Sequence, residues 1–461
     1  MGFLDTATGS PFCQALARHV RDRAETTALW SEGRAVPFGA LDGRIAAWAA
    51  AIERMQVEGL VGVAVGQTPA FIGLFYALRA LGLPVVALDA GATPELARRV
   101  RAAWLLHRSP SLGGEALPWT PDAAVRLLRL GDPEPLPAGT EIVKMTSGST
   151  LEPRAACFRE AALVEGVAHL RDGMELEPED VVLLAIPLSH SYGFDNGVLS
   201  LGAIGTPLVL QTDILPAALL SALRERKATF FPAVPALVRA LGQVEWPAGL
   251  ALRKVVCASA PLAPEDAAAF RRASGVPVRQ FYGATEAGGI CLEREPDDPA
   301  AAGTVGTPLP GVGVELHVDG LRVRSKALRH ALLPDGEAAP DFVETGDRGE
   351  WTPEGRLRLL GRAHLVANVG GVKVDLGALD AFFRAMPGVS DAAVLTVADP
   401  ARGDRIVAWV ETRSYAPEEL LALCRVRLAA KEVPSDIRVR AELPRTERGK
   451  LDRGALRGLS K

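Results

Sequence analysis

The feature that most constrains this chain is an alternation of short, uniformly apolar runs with segments typical of helices. The apolar runs cover residues 61–65, 83–89, 181–186, 206–210, 229–234, 254–259 and 278–282. Strands that are apolar on both faces are typical of parallel sheets covered by helices. Thr68-Pro69, a capping residue followed by proline, marks one helix start. We therefore predict an α/β fold built on helix-covered, mainly parallel sheets.

The pattern changes after residue 341. A glycine-containing segment at 370–374 is followed by a helix, two strands, a helix and a strand, predicted at 376–385, 392–397, 405–411, 417–430 and 437–440. This βαββαβ-like order, over about a hundred residues, has the size of a small domain. We expect a large N-terminal domain over 1–360 and a small α+β C-terminal domain over 361–461. Residues 107–140, rich in Pro, Gly and Leu, are expected to form a loose connection.

The composition argues against several classes of function. Of 461 residues, 48% are hydrophobic and 23% charged, and the net charge of −4 gives no overall basic surface for nucleic acid. Five widely spaced cysteines without a Cys-x-x-Cys pair argue against a disulfide scaffold or structural zinc site. The N-terminus lacks a secretory pattern, and Arg79, Gly82 and Pro84 interrupt the apolar stretch 69–88. We expect a cytoplasmic protein without an integral membrane segment or a nucleic-acid partner.

A hydroxyl-rich segment follows the apolar run Ile142-Val143. It contains Thr146, Ser147, Gly148, Ser149 and Thr150, and then Arg154. Hydroxyls and backbone N–H groups in a tight turn form an anion-binding concavity, to which an arginine adds a fixed charge. No GK[ST] closes the segment, so it is not a Walker A loop. Taken alone, such a segment is more often an ordinary turn.

Three other segments are candidates for the same chemistry. Residues 280–286 follow a predicted strand, where an aromatic ring can stack on a base, a threonine can hold a phosphate and a carboxylate can hold Mg²⁺. Asp347 lies in a tight turn where it could accept hydrogen bonds from a ribose, and Lys450 lies on a glycine-bearing loop. Taken singly, residues 280–286 are more often a core aromatic followed by a helix start. Asp347 is more often part of an ordinary turn, and Lys450 is more often a solvated surface lysine.

Together, the order and spacing of these motifs resemble the adenylate-forming superfamily, which comprises acyl-CoA synthetases, peptide-synthetase adenylation domains and luciferases. The resemblance runs from about residue 40 to residue 461, and the segment 187–194 is similar to the fourth core motif of that superfamily. It implies ATP-dependent activation of a carboxylic acid to acyl-AMP with release of pyrophosphate. The acyl group then passes to a thiol, either CoA or the phosphopantetheine of a carrier protein, and Mg²⁺ accompanies ATP.

The resemblance also implies roles for individual residues. The segment 146–154 would wrap the β- and γ-phosphates, Tyr282 would stack on adenine, Thr285 would bind the α-phosphate and Glu286 would hold Mg²⁺. Lys450 would bridge the carboxylate and the α-phosphate, and His190 would border the carboxylate and the thiol channel. The other implied site residues are, for the ribose, Asp347 and Arg362; for the nucleotide, Ser259, Ala260, Phe281 and Gly283; for the acyl pocket, Tyr192, Phe194 and Ala284; and for the hinge and thiol tunnel, His364, Gly370, Gly371 and Lys373.

The sequence departs from the usual pattern of the superfamily in the phosphate segment, where Leu151 replaces a glycine and Arg154 replaces a lysine. It also has residues 258–261, Ala-Ser-Ala-Pro, where a more glycine-rich turn is usual. The implied acyl lining suggests a fatty or aryl acid, and Asp195 is the acidic residue to check for an amino group. Two alternatives remain: an adenylating enzyme whose second step does not form a thioester, and a non-catalytic relative that binds nucleotide or acyl ligand.

Overall fold

The computed structural model describes residues 2–7, 9–117, 124–146, 154–317, 320–338, 341–362, 366–369, 372–399, 403–446 and 451–460. The chain divides into two compact units. The first comprises Met1–Val314 and Val323–Val343, and the second comprises Glu315–Arg322 and Glu344–Lys461. The predicted domain boundary at 360/361 therefore falls inside the second unit. No helix among the described residues is long and apolar enough to cross a membrane.

The helices alternate with strands through most of the first unit and recur in the second. They are α1 (Pro11–Asp22), α2 (Phe38–Arg54), α3 (Pro69–Ala80), α4 (Pro94–Arg99), α5 (Glu160–Met174), α6 (Ser191–Phe194), α7 (Ser200–Ala203), α8 (Pro216–Glu225), α9 (Pro235–Leu241), α10 (Pro264–Ser274), α11 (Leu376–Arg384), α12 (Pro417–Arg427) and α13 (Arg453–Gly458). A π-helical turn, Asp195–Leu199, joins α6 to α7.

The strands are short in the first unit and longest in the second. They are β1 (Thr27–Ser31), β2 (Arg34–Pro37), β3 (Leu60–Ala64), β4 (Val85–Ala87), β5 (Ala102–His107), β6 (Glu115–Ala116), β7 (Arg126–Arg129), β8 (Ile142–Met145), β9 (Ala155–Phe158), β10 (Val182–Leu184), β11 (Leu208–Leu210), β12 (Phe230–Ala233), β13 (Lys254–Cys257), β14 (Val278–Ala284), β15 (Gly288–Leu292), β16 (Thr307–Pro308), β17 (Gly313–His317), β18 (Gly320–Arg324), β19 (Ala331–Leu333), β20 (Glu337–Ala338), β21 (Val343–Glu344), β22 (Asp347–Trp351), β23 (Leu357–Arg362), β24 (Val366–Val369), β25 (Val372–Asp375), β26 (Val389–Asp399), β27 (Gly403–Thr412) and β28 (Asp436–Arg440).

Two nine-stranded sheets organise the first unit. Their orders are β16-β15-β14-β13-β12-β10-β11-β1-β2 and β20-β19-β9-β8-β4-β3-β5-β7-β6. The central strands of both sheets pair in parallel, and each predicted apolar run overlaps one of them. The predicted α/β class with mainly parallel, helix-covered sheets is thus confirmed. Apolar side chains of β12 and β13 pack with α8, α9 and α10 in one core, which includes Phe231, Val255 and Phe270.

Helix α3 shows how the sequence determines a local element. Thr68 is extended at its N-cap and Pro69 is the first helical residue, as predicted. The helix is buried nearly all round and includes Arg79, which is 4% exposed. The Arg79 guanidinium bonds Glu160 at 2.5 Å and Glu141 at 3.0 Å. These partners satisfy the buried charge and tie α3 to α5 and to the residue before β8.

The second unit contains the predicted βαββαβ order as β25-α11-β26-β27-α12-β28. Its sheet has the order β25-β24-β27-β26, and β28 pairs in parallel with β27. Both faces of β26 and β27 are covered. Val394 and Ala408 pack with α11 and α12, whereas Leu395 and Trp409 pack with Leu456 of α13.

The prediction of a loose connection over residues 107–140 is wrong for part of that range. Strands β6 and β7 lie there, and β7 pairs antiparallel with β5, from Trp104↔Arg129 to His107↔Arg126. The sequences of β6 and β7 are short and charged and show little hydrophobic periodicity. These strands extend the edge of an existing sheet rather than forming its core, so burial does not impose an apolar pattern on them.

Candidate active site

The hydroxyl-rich phosphate segment connects β8 to β9, which pair antiparallel from Ile142↔Phe158 to Met145↔Ala155. Thr146 and Arg154 join its ends. The Thr146 N–H and hydroxyl donate to the Arg154 carbonyl oxygen at 2.9 and 3.1 Å. Residues 147–153, which include the predicted Ser147, Gly148, Ser149 and Thr150 and the variant Leu151, lie outside the described residues.

The Arg154 side chain has an exposed acidic neighbour. Its Nη2 lies 3.3 Å from Oδ2 of Asp335, whose side chain is mostly exposed. Exposed pairs of this kind contribute only about 0–1 kcal/mol. The contact with Asp335 by itself therefore holds the Arg154 guanidinium only weakly.

Three of the predicted segments follow the carboxyl ends of strands in the first of the two nine-stranded sheets. Residues 187–194 follow β10, residues 258–261 follow β13, and residues 284–286 end and follow β14. The Ser191 hydroxyl donates to Oγ1 of Thr285 at 3.1 Å. The ring of Tyr192 stacks on Phe281 with centroids 5.7 Å apart. This is the edge of a parallel sheet at which ligands characteristically bind.

His190 begins the short helix α6. The Tyr192 N–H donates to Nδ1 of His190 at 3.3 Å, and the Phe194 N–H donates to its carbonyl oxygen at 2.7 Å. An imidazole that accepts through Nδ1 carries its proton on Nε2 when neutral. Gly193 permits this tight turn, because a Cβ there would lie 2.3 Å from the Pro187 carbonyl oxygen.

The aromatic residues proposed for the acyl pocket occupy different surroundings. Tyr192 is buried, its hydroxyl donates to the Val256 carbonyl oxygen at 2.8 Å, and burial raises its pKa well above the usual range. Phe194 is 1% exposed and packs edge-on against Phe75 of α3, with centroids 5.3 Å apart. Ala284, at the end of β14, is partly exposed. Tyr192 and Ala284 therefore lie at the sheet edge, whereas Phe194 packs in the core.

The turn after β13 contains backbone strain. Ser259 has φ +77°, in the left-handed region that favours glycine. Ala260 beside it is exposed, and Ser259 is partly exposed. In the variant turn at 258–261 a non-glycine residue therefore adopts a conformation that favours glycine, and such residues often occur at functional sites.

The turn from β14 to β15 contains Thr285 and Glu286, both partly exposed. The pairing shifts register between Tyr282 and Gly283, and a Cβ on Gly283 would lie 2.8 Å from the Gly288 carbonyl oxygen. Glycine is thus required for the close approach of the two strands. Glu286 offers one carboxylate, the kind of oxygen ligand that Mg²⁺ takes when nucleotide phosphates and water supply the others. Tyr282 is buried in β14.

A buried ion pair joins β8 to the helical segment after His190. Lys144 is 2% exposed, and its Nζ lies 2.5 Å from Oδ1 of Asp195. The ammonium also lies over the rings of Phe158 and Phe194, 5.2 and 5.5 Å from their centroids. Burial raises the pKa of Asp195, and Lys144 opposes that rise. Lys144 was not predicted as a site residue, although a lysine within an apolar strand indicates a buried partner.

In the second unit, the two predicted ribose ligands are cross-strand partners. Asp347 of β22 pairs with Arg362 of β23 in the backbone register. The Asp347 N–H donates to Oγ1 of Thr345 at 3.1 Å. The Arg362 side chain lies outside the described part of the structure. The antiparallel pairing alone brings the two backbone positions side by side.

The predicted hinge and tunnel residues are described only in part. His364, Gly370 and Gly371 lie outside the described residues. Lys373 is described by its backbone, which pairs with Asn368 in the β24–β25 ladder. This pairing shows that Lys373 lies in a strand, and its place in the thiol tunnel stays a prediction.

Lys450 also lies outside the described residues, but both flanking segments are anchored. Arg445 and Leu451 form an isolated antiparallel bridge. Arg445 pairs with Glu411 at 3.1 Å. Arg453 pairs with Asp380 and donates to a β26 carbonyl oxygen at 2.8 Å. These anchors were not identified from the sequence, because their partners lie far away in the chain.

Comparison with known proteins agrees with this architecture. Residues 96–324 match the model of the AMP-binding enzyme family, and residues 378–450 match that of the AMP-binding enzyme C-terminal domain. A sulfoacetate–CoA ligase of Cupriavidus necator is 30% identical over 73% of this chain and 70% of its own length. A feruloyl-CoA synthase of an Amycolatopsis species is 27% identical, over 95% and 97% of the two chains. The structure of the amide bond synthetase McbA from Marinactinospora thermotolerans matches with a TM-score of 0.78 and 25% identity, over 97% and 99%.

The large α/β unit and the small α+β unit have the architecture of an adenylate-forming enzyme. The chain belongs to the AMP-binding enzyme family and is an AMP-forming ligase of the acyl-CoA synthetase type.

Proposed function

We propose that this protein converts a carboxylic acid and ATP to acyl-AMP and pyrophosphate, and then transfers the acyl group to a thiol. The observation that carries the proposal is the junction of Ser191, Tyr192, Phe281 and Thr285 at the carboxyl edge of the sheet. It brings together the two segments in which adenylate-forming enzymes hold the nucleotide and the reacting carboxylate.

In the first step, a carboxylate oxygen attacks the α-phosphorus of ATP. The bond from that phosphorus to the bridging oxygen breaks, and pyrophosphate leaves with the electron pair. The requirement is charge neutralisation and alignment rather than covalent catalysis. Arg154 and Lys450 are the proposed cationic groups, and Thr285 the proposed α-phosphate ligand. The Nε2–H of His190 suits a donor to the carboxylate, because Nδ1 already accepts a hydrogen bond.

In the second step, the thiol loses its proton to water and its sulfur attacks the acyl carbon. The bond between that carbon and the AMP oxygen breaks, which gives a thioester and AMP. CoA is the proposed acceptor, consistent with the named activities of the relatives, and carrier-protein phosphopantetheine is the alternative. Movement of a C-terminal domain, residues 361–461, about a hinge at 362–364 is proposed to exchange Lys450 for a tunnel segment containing Gly370, Gly371 and Lys373.

The proposed substrate is an aryl or fatty acid, and the proposed bound nucleotide is ATP with Mg²⁺. The stacked rings of Tyr192 and Phe281 are buried beside the sheet edge, and aromatic packing there favours an apolar acyl group. Glu286 would hold Mg²⁺, which would neutralise phosphate charge. Asp347 and Arg362 are proposed to bind the ribose, and Tyr282, with Ser259, Ala260 and Gly283, the adenine.

A second candidate function is amide formation, with an amine in place of the thiol. The observation that favours it is the similarity to an amide bond synthetase over nearly the whole of both chains. The first step is the same in both cases, so the two candidates differ only in the acceptor.

The test is pyrophosphate release from Mg·ATP with pooled aryl, fatty and amino acids, followed by addition of CoA or an amine. We expect one acid pool to trigger release and Lys450→Ala to reduce it by about 10²–10³-fold. Consumption of acyl-AMP on addition of CoA would identify a thioester ligase, and consumption only with amine would favour the second candidate. ATP binding without release for any pool would contradict the proposed adenylation.

A further inference from the structure

The groups that the proposed first step must align come from two different sheets. The phosphate segment follows β8 in one nine-stranded sheet, and His190 follows β10 in the other. Attack of a carboxylate oxygen on phosphorus is fast only when the two reacting groups are held close together and in line. A contact that joins the carboxyl edges of the two sheets near these segments therefore bears on the reaction.

Asp89 makes such a contact. It follows β4, and its Oδ1 accepts a hydrogen bond from the hydroxyl of Ser189, which follows β10. Ser189 is 8% exposed, so water competes little for its hydroxyl. The acceptor is a carboxylate, and hydrogen bonds to ionised acceptors are roughly twice as strong as those between neutral groups. The contact therefore joins the two sheets at one defined point of their carboxyl edges.

On one side, this contact leads along the chain to His190. Ser189 lies in the turn of residues 187–190, which the His190 N–H closes by donating to the Pro187 carbonyl oxygen at 3.1 Å. Nδ1 of His190 accepts from the Tyr192 N–H at 3.3 Å. Both the backbone and the ring of His190 are thus restrained, so fixing Ser189 also fixes the imidazole.

On the other side, the contact leads to the start of the phosphate segment. Strands β4 and β8 pair in parallel up to Ala87↔Lys144. Asp89 and Thr146 are each two residues beyond this pair, and paired strands lie about 4.8 Å apart. Thr146 closes the phosphate segment by donating to the Arg154 carbonyl oxygen. Asp89 is therefore anchored beside the residue at which the phosphate segment begins.

We propose that Asp89 is a positioning residue for adenylation. Through Ser189 it holds His190, and with it the substrate carboxylate, at the distance from the phosphate segment that in-line attack requires. The inference rests on the proposed function and adds to it a residue that acts through another. Asp89 contributes a hydrogen-bond acceptor, so an acceptor of the same size replaces it. The second step starts from acyl-AMP already formed and does not depend on this alignment.

The test measures both half-reactions in Asp89→Ala, in Ser189→Ala and in the double variant. One hydrogen bond to a charged group corresponds to about 10- to 100-fold in rate. Each single variant is expected to lower kcat for pyrophosphate release by about that factor, with the KM for ATP within about twofold. The double variant should be no slower than the single ones, because both substitutions remove the same hydrogen bond. Acyl transfer from supplied acyl-AMP should stay within about twofold, and Asp89→Asn, which keeps an acceptor oxygen, should recover most of the rate of adenylation.

A matched control joins the same two sheets without reaching the turn of residues 187–190. Gln67, which follows β3, donates through Nε2 to the carbonyl oxygens of Leu184 and Gln211, the latter at 3.3 Å. Gln67→Met removes these bonds and is expected to leave both half-reactions within about twofold.

Four outcomes would overturn the inference while leaving adenylation intact. They are additive losses in the double variant, equal losses in the two half-reactions, no recovery in Asp89→Asn, and a loss in Gln67→Met as large as that in Asp89→Ala. Absence of pyrophosphate release from the wild type with every acid would overturn the proposed function and this inference with it.

Discussion

The anchoring of the segment before and after Lys450 predicts a defect confined to one half-reaction. Arg453 begins α13 and joins it to α11 through Asp380, whose side chain is 5% exposed. Asp380 also accepts the Val394 N–H at 2.6 Å, and Arg453 donates to the Val394 carbonyl oxygen at 2.8 Å. Arg453→Met removes both arginine contacts three residues from the proposed catalytic lysine and preserves most of the side-chain length.

The expected magnitude follows from what remains after the substitution. Breaking a fully buried ion pair costs about 3–5 kcal/mol. Arg453 is 26% exposed, and Asp380 retains the Val394 N–H and Arg384 at 3.8 Å, so about 1.5–3 kcal/mol is the appropriate range for this charge-assisted contact. If that energy holds Lys450 in place, adenylation should slow by about 10- to 100-fold. The upper bound is the loss of the lysine itself, about 10²–10³-fold.

The assay measures the two half-reactions separately. Pyrophosphate release reports adenylation, and thioester formation from supplied acyl-AMP and CoA reports the second step, for which no role of Lys450 is proposed. Arg453→Met should slow the first and leave the second within about twofold. Arg457→Met, on the exposed side of the same helix, is the matched control. Equal losses in both steps, or no difference between the two variants, would refute the argument that Arg453 positions the lysine.

Two further predictions concern stability. Ser259→Gly should raise the free energy of unfolding by about 0.5–1 kcal/mol, because relief of a left-handed conformation outweighs the conformational entropy that glycine loses on folding. Chemical denaturation measures this change. A decrease would contradict the assigned strain. Asp180 is stabilised as a carboxylate: burial raises its pKa, but hydrogen bonds from Thr229 and Lys254 outweigh burial and lower it overall. The ionised Asp180 therefore stabilises the folded state above the ordinary aspartate pKa of about 3.9, and this stabilisation is lost as the pH falls below that value. The free energy of unfolding of Asp180→Asn should depend less steeply on pH in the acid range, as acid unfolding measures. An unchanged slope would refute the linkage.

The sequence predicted the elements whose signal is local. Buried parallel strands such as β3 and β12 are uniformly apolar, and α3 begins at a capping residue and a proline, so each was identifiable without its neighbours. The βαββαβ order of the small unit was visible for the same reason. The edge strands β6 and β7 were missed because their pairing with β5 depends on an edge formed elsewhere.

The missed features of the candidate site are non-local. Lys144 and Asp195 are 51 positions apart, and Asp380 and Arg453 are 73 apart. A charged residue in an apolar run indicates that a partner exists, but only the fold identifies it. The strain at Ser259 was equally hidden, because the sequence showed a missing glycine and not the conformation that the turn retains.

Strand β8 links the buried Lys144–Asp195 pair to the proposed phosphate site. Lys144 holds Asp195, and Thr146, two residues later, closes the phosphate segment through Arg154. Two residues of extended chain span only about 7 Å, so both contacts are fixed by one short, fully buried strand. Loss of the Lys144–Asp195 pair would therefore disturb the end of β8 at which the phosphate segment begins. Because alignment of the two substrates lowers the barrier of a two-substrate step, Asp195→Asn should lower kcat for pyrophosphate release, and an unchanged kcat would refute this link.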